Sequence, residues 1–233
     1  MVMIDDLRSR FFVVAHRGAS AYEPENTLKA IRRAIEIGAD VVEIDVRVTR
    51  DGYPIVIHDE TVDRTTDGSG LVNEFSLDGL RKLDAGEGER IPLLGEVLDL
   101  VADKIDIFIE IKVNEAVLPS LKEVDVRDLW SSVMFTSFNI EHLGRVLEFN
   151  PKANVGLIYV RPVNGIVGAK KLGAIAVLPF YRLATRKAIA FAKRLKLMVI
   201  PWTVDDLNVA RKLKVDGANG IVTNKPGIML ELK

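Results

Sequence analysis

Two acids stand one residue apart inside an aliphatic run, Val41-Val-Glu-Ile-Asp-Val-Arg-Val48. Side chains alternate faces along an extended chain, so Val42, Ile44, Val46 and Val48 share one face and Glu43, Asp45 and Arg47 the other. The carboxylates then lie roughly 7 Å apart along the strand. They repel each other and are costly to bury unless a cation or protons sit between them. A second run, Asp106-Ile-Phe-Ile-Glu-Ile-Lys112, repeats the pattern. Its isoleucines form one face, and Asp106, Phe108, Glu110 and Lys112 the other. Glu43, Asp45 and Glu110 converging at one mouth suit a hard divalent cation, Mg²⁺ or Ca²⁺, which takes oxygen ligands. Zinc usually recruits more nitrogen or sulfur.

His16 and His58 both follow apolar runs, and two imidazoles beside a metal can act as general acid and base near neutral pH. Arg17 and Lys112 are fixed positive charges suited to gripping an anion, phosphate first. Trp202, at the end of another apolar run, can pack on a substrate's carbon skeleton. Simpler readings stand beside these. An isolated Glu-x-Asp on a strand is usually a solvated face. Lys112 could simply pair with Glu110 or Asp106. His142 is read as structural, on a surface helix, and Lys122 to Asp128 as a solvated surface. Pro24 to Thr27 reads as a helix start, with Asn26 or Thr27 as its N-cap.

The elements that must position these residues follow from periodicity. Phe11 to Ala15 is a first strand with His16 at its C-terminal end. Leu28, Ile31, Ala34 and Ile35 recur at helical spacing, and Gly38 stops the helix. After the Glu43-x-Asp45 strand, Asp51-Gly52 predicts a hairpin with a two-residue turn. Arg50 would then face Tyr53, and His58 would lie opposite Asp45, within about 5.5 Å backbone to backbone. A bulge would shift that pairing by one.

Residues 59 to 90 are polar and rich in Gly, Asp and Thr, with one helical patch near Leu77 to Leu83. They read as a short insertion above the main fold. A helix through Leu94, Val97, Leu98 and Val101 precedes the Glu110-x-Lys112 strand. Four strands then alternate with helices: Val133 to Thr136, Val155 to Val160, Ala174 to Leu178 and Leu197 to Trp202. The intervening helices are Ile140 to Phe149, Val163 to Leu172, Thr185 to Leu195 and Asp205 to Leu213. Gly220 to Thr223 is the last strand. Eight strands, each followed by helical sequence, point to a (β/α)8 barrel, the TIM barrel, as one domain over residues 1–233. An open doubly wound sheet is the alternative, but no Gly-x-Gly-x-x-Gly follows the first strand and no phosphate-cradling Gly-rich loop ends in Lys-Ser or Lys-Thr.

The 233 residues carry a net charge of −1, which gives no sequence-wide pull toward nucleic acid or anionic membranes. The chain has no cysteine, which excludes disulfides, thiolate catalysis and sulfur-ligated metal. No apolar run approaches membrane-spanning length, so stable membrane insertion is not expected. Residues 1–10 have neither a basic leader nor a long apolar stretch, and a cytoplasmic location is the expectation. The absence of glutamine alongside plentiful Lys, Arg and Glu leans toward a thermophilic source. A homo-oligomer stays open.

The chain resembles the glycerophosphodiester phosphodiesterase family over nearly its whole length. The resemblance rests on His16-Arg17-Gly18, Pro24-Glu25-Asn26-Thr27, Glu43-x-Asp45, Asp51-Gly52 with Pro54 and His58-Asp59, and Glu110-x-Lys112. Ser137-Phe138 and Trp202-Thr203-Val204 lend weaker support. It implies a barrel with a short insertion after the second strand and a metal held by Glu43, Asp45 and Glu110. It further implies acid–base roles for His16 and His58, phosphate contacts from Arg17 and Lys112, and a substrate contact from Trp202. The expected reaction cleaves a small-molecule glycerophosphodiester to glycerol 3-phosphate and an alcohol. One departure is visible: the family commonly ends its last strand Thr-Asp-x-Pro, and here it reads Thr223-Asn224-Lys225-Pro226. Rival readings are a relative that cleaves lysophospholipids or inositol phospholipids, and a non-catalytic barrel that binds glycerophosphodiesters. The polar segment 59–90 offers few apolar residues for a lysophospholipid tail.

Overall fold

The computed structural model describes residues 4–161 and 165–233. Eight parallel strands close into a barrel: β1 (Phe12–His16), β2 (Val41–Val48), β4 (Asp106–Ile111), β5 (Val133–Ser137), β6 (Asn154–Tyr159), β7 (Ala176–Pro179), β8 (Met198–Val199) and β9 (Gly220–Thr223). The short strand β3 (Pro54–Val56) pairs antiparallel with β2 outside the ring. Closure at β9 is made by Asn219 N to Val199 O and Val222 N to Pro201 O, each 2.9 Å, and by Val204 N to Val222 O at 2.8 Å. The TIM-barrel expectation therefore holds.

Alternation along each strand sorts the side chains into two cores. Val13, Val42, Ile44, Ile107 and Ile109 face outward, beneath helices that include α1 (Leu28–Ile37), α3 (Leu94–Val101) and α5 (Ile140–Phe149). Phe12, Val14, Val41, Phe108, Met134 and Met198 face inward and fill the lower half of the barrel. A 3-10 helix over Ile4–Ser9 adds Ile4 and Leu7 to that interior, both fully buried. On β1, β2 and β4 the inward positions nearer the C-terminal ends are polar or charged, whereas on β6, β7 and β9 they stay apolar with Ile158, Leu178 and Val222.

The hairpin differs from its expectation. Val46 pairs with Val56 and Val48 with Pro54, and Ile57 N donates to Asp45 O at 3.0 Å. Ile57, not His58, thus lies opposite Asp45. Thr49 N donates to Tyr53 O, leaving three residues in the turn, with Gly52 at φ 87°. The left-handed conformation at the third turn position is the three-residue alternative to a primed two-residue turn.

Segment 59–90 is less regular, with a 3-10 turn at Val72–Glu74 and α2 (Leu77–Leu80). Its Val62, Val72, Leu80 and Ala85 gather with Ile55, Ile57 and Ile91 into a small apolar cluster of their own. The helix after β4, for which the sequence reading names no bounds, is α4 (Val117–Asp125), and it buries Val117, Leu121 and Val124 at i, i+4, i+7 spacing. Pro119 falls in its first turn, where the missing N–H costs nothing. Lys122 to Asp128 is the end of that helix and its exit, mostly exposed as expected except for Val124. The helix α6 (Gly165–Leu172) is described from Gly165, and the expected start at Val163 lies outside the described residues, as do Met1 to Met3. The remaining helices are α7 (Arg186–Arg194), α8 (Leu207–Val215) and α9 (Pro226–Met229). Among the described residues, no helix is long and apolar enough to cross a membrane.

Candidate active site

Strand register brings the acids together. In the parallel ladders His16 pairs with Glu43, and Asp45 pairs with Glu110. All four are inward positions of their strands, Glu43 and Asp45 being successive ones on β2. One oxygen from each of Glu43, Asp45 and Glu110 lies within 4.8 Å of the others, and the residues are only 5%, 1% and 8% exposed. Asp45 Oδ1 is buried without a hydrogen-bond partner. Three close carboxylates with an orphaned oxygen fit a hard divalent cation.

Nearby cations compensate part of that charge. Lys112 Nζ donates to Glu110 Oε1 at 2.6 Å and lies 3.4 Å from Asp45 Oδ1. Arg17 Nε lies 3.3 Å from Asp45 Oδ2, too misaligned for a hydrogen bond, and its Nη1 donates to Glu25 at 2.9 Å. Three carboxylates face two cations, one of which, Arg17, is shared with Glu25, so negative charge is in excess. Burial, then the Asp45 charge, pushes the Glu43 carboxyl up to about 8 and that of Glu110 up to about 7. Burial pushes Asp45 the same way, yet Lys112 and Arg17 outweigh it and hold its carboxyl below the usual range.

The turn after β1 is shaped for this site. Arg17 and Gly18 both take positive φ, 54° and 78°. A Cβ on Gly18 would come within 2.7 Å of the Ala30 backbone, so no other residue fits there. The turn aims Arg17 N at Glu43 Oε2, a 3.0 Å bond. Asn26 is also left-handed (φ 58°) and buried; its Nδ2 donates to Asp45 Oδ2 at 2.9 Å and its Oδ1 accepts from Asp45 N at 3.3 Å. Thr27 alone caps α1, accepting from Ala30 N. The sequence reading gave Asn26 only a capping role. The available signal was that asparagine tolerates the left-handed region better than most residues.

Both histidines have one ring nitrogen committed. His16 Nδ1 lies 2.7 Å from Asn224 Oδ1, and Asn224 Nδ2 donates to Asp205 Oδ2 at 2.6 Å, which turns the amide oxygen toward the ring. His58 Nδ1 lies 2.6 Å from Asp59 Oδ1. Each Nδ1 therefore carries the proton, and neither Nε2 is hydrogen-bonded among the described residues, that of His16 standing 4.0 Å from Glu43 Oε2. Burial, with help from Arg17, holds the His16 ring below its ordinary range; burial lowers His58 as well, against the opposing pull of Asp45 and Asp59. Arg47 Nε donates to His58 O at 2.9 Å, anchoring the backbone where it leaves β3. Asn224, the departure from the family pattern, thus holds His16 through a neutral amide backed by Asp205.

His16, Arg17, Glu43, His58, Glu110, Lys112 and Trp202 all line one pocket, with Asp45 buried between Arg17 and Lys112. Its other wall is apolar: Phe138, Ile158, Leu178, Trp202 and Val222. Trp202 packs edge-on against Phe138 at 5.5 Å between ring centres, and its Nε1 donates to Leu178 O at 2.8 Å. Phe138, 46% exposed, extends this wall to the rim. His142 is not on the surface. It is buried on the inner face of α5, 3.2 Å from Ser137 Oγ, in a structural position away from the pocket lining.

The family model for the glycerophosphoryl diester phosphodiesterase family matches residues 16–228. A glycerophosphodiester phosphodiesterase of Caldanaerobacter subterraneus subsp. tengcongensis is 38% identical over 237 residues, covering 94% of this chain and 96% of that protein. Among solved structures, an Oleispira antarctica phosphodiesterase in complex with the product sn-glycerol-3-phosphate superposes with a TM-score of 0.90 at 27% identity, covering 94% of this chain and 95% of that one. A putative glycerophosphoryl diester phosphodiesterase of Silicibacter pomeroyi matches the fold with a TM-score of 0.93 at 24% identity, over 99% of this chain and 96% of that one.

Proposed function

The chain belongs to the glycerophosphoryl diester phosphodiesterase family, whose members are phosphoric diester hydrolases, and on that premise we propose that it cleaves small glycerophosphodiesters to sn-glycerol 3-phosphate and an alcohol by metal-dependent, two-histidine acid–base catalysis. The observation that carries this reading is the buried acid trio gathered beside two imidazoles held by their Nδ1 atoms. Glu43, Asp45 and Glu110 would hold a divalent ion, Mg²⁺ or Ca²⁺. Such an ion polarises a phosphoryl oxygen and stabilises the charge that grows there.

Charge supports the same assignment. The acids outnumber the cations facing them, so a divalent ion would supply the missing positive charge and favour an anionic phosphodiester. It would also compete for the acids that Lys112 and Arg17 now pair with, leaving both cations available to phosphate oxygens. One Nε2 takes the proton of the nucleophile, and the other gives a proton to the departing alkoxide. The nucleophile is water or the substrate's own glycerol hydroxyl, which would pass through a cyclic phosphate hydrolysed later. Trp202 and the apolar wall would pack against the carbon skeleton. Substrates of this kind are deacylated phospholipids.

The test is release of glycerol 3-phosphate from glycerophosphocholine, blocked by a chelator and restored by Mg²⁺ or Ca²⁺. No release with either ion would overturn the reading, leaving the silent-barrel alternative. A second reading, a lysophospholipid substrate, gains one observation. The apolar surface missing from segment 59–90 exists on the opposite side of the mouth, from Trp202 to Phe138. Turnover of lysophosphatidylcholine exceeding that of glycerophosphocholine would favour it.

A further inference from the structure

Segment 59–90 contributes one charge to the site that neither the motifs nor the acid–base scheme uses. Arg64 spans two carboxylates with a single guanidinium. Its Nε donates to Asp59 Oδ2 at 2.6 Å and its Nη2 to Asp59 Oδ1 at 3.1 Å. On the other side Nη1 and Nη2 donate to the two oxygens of Glu25, both at 2.8 Å. Each carboxylate continues into the pocket: Asp59 to His58 Nδ1, and Glu25 to Arg17 Nη1 at 2.9 Å. A continuous path therefore runs His58, Asp59, Arg64, Glu25, Arg17.

The backbone that carries Arg64 is fixed. Val62 is fully buried in the segment's own apolar cluster, and Thr66 bonds back to Val62 O through both N and Oγ1. The side chain is 48% exposed. Two bidentate forks to carboxylates only 28% and 20% exposed form a network that can add to stability. They also fix direction, because a planar guanidinium aligns its partners in a way that a lysine ammonium cannot. Hydrogen bonds from Arg64, first among several causes, hold the Asp59 carboxyl far below its ordinary range, so it remains an acceptor for His58.

We propose that Arg64 is a positioning residue for the reaction, the brace that holds the His58 imidazole and the Arg17 guanidinium to one frame. This rests on the phosphodiesterase reading of the site. Without Arg64, Asp59 and Glu25 lose their shared partner and repel each other. His58 then loses its fixed ring orientation, and Arg17 its fixed direction toward the phosphate.

The experiment is steady-state hydrolysis of glycerophosphocholine by the full chain. Arg64→Ala is expected to lower kcat/KM by about 10- to 100-fold, the scale of a misplaced catalytic group. Arg64→Lys should recover less than about 3-fold of that, since it keeps the charge and loses the forks. Two double-mutant cycles resolve the path. Arg64→Ala with Asp59→Asn should be non-additive in kcat, and Arg64→Ala with Glu25→Gln non-additive in KM. Arg81→Ala, which removes an ion pair to Glu96 elsewhere on the segment, should lower thermal stability and leave kcat unchanged. A folded Arg64→Ala within about 3-fold of the parent, or multiplicative effects in both cycles, overturns the proposal. If Arg64→Ala does not fold, an Arg64→Lys enzyme as active as the parent does so. Any of these failures leaves the parent's own hydrolysis intact, and so is separable from failure of the functional reading.

Discussion

The two walls of the pocket are built at the same height of the same barrel from opposite materials. The wall of β1, β2 and β4 carries His16, Glu43, Asp45, Glu110 and Lys112, almost all of it out of water. The facing wall carries Ile158, Leu178, Trp202 and Val222, continued outward by Phe138. Burying an apolar side chain stabilises the fold by about 1.5–3 kcal/mol. Burying a charge costs several kcal/mol per ion unless partners compensate it. The first wall is therefore poorly suited to stability and suited to chemistry. The second needs no such explanation, since it fills space and shapes what enters.

Substitutions on the charged wall should be the most damaging to turnover. Glu43→Gln, Asp45→Asn or Glu110→Gln is expected to abolish tight metal binding in calorimetry. Each should lower kcat by about 10⁴-fold, the several kcal/mol of charge stabilisation a bound ion supplies. Full activity in any of the three would remove the acid trio from the mechanism. His16→Ala and His58→Ala should each cost about 10² to 10⁴-fold in turnover with the thermal melt unchanged. Near-normal rates in either variant would end its acid–base role.

The same wall should make metal-free protein less stable as pH rises. Glu43 and Glu110 keep their protons up to about 8 and about 7 when folded, whereas in the unfolded chain they release them near the ordinary carboxylate value. Between those limits these two carboxyls bind more protons in the folded state, so through them each rise in pH favours unfolding. The Tm should fall from about pH 6.5 to pH 8, since below that range the lowered rings of His16 and His58 act in the opposite sense, and a saturating divalent ion should remove most of that fall. Asp106, at the far end of the barrel, is pushed up to about 7 by burial and should leave a residual slope with metal present. A flat metal-free profile would contradict the uncompensated charge assigned to the site.

The apolar wall should respond more gently. Trp202→Ala is expected to raise KM by about 10-fold with a smaller change in kcat, the scale of lost apolar contact with a substrate. Phe138→Ala should change KM for glycerophosphocholine by no more than about 3-fold. A larger loss with lysophosphatidylcholine than with glycerophosphocholine would identify the rim as a tail contact.

Much of this was legible before folding. Alternation in residues 41–48 and 106–112 separated inward acids from outward aliphatics, and both runs folded as that pattern requires. The hairpin register was not legible, because Asp51-Gly52 serves a two-residue or a three-residue turn equally well. The tertiary packing of residues 53–57 chose the longer one, moving His58 out of line with Asp45. Asn26 looked like a cap because the cap signal is local, whereas its bond to Asp45 joins β2 to a turn nineteen positions earlier. Arg64 carried no signal at all within a polar segment.

By itself, the sequence determined which face of each strand is charged, for the backbone's two-residue repeat is a property of neighbouring atoms alone. Only the closed barrel decided that those faces meet. Asp45 stands beside Glu110 because β2 and β4 adopt one hydrogen-bond register across 65 positions of chain, and His16 stands beside Glu43 for the same reason. Register between distant strands is set by the packing of the whole sheet, and no short stretch of residues contains it.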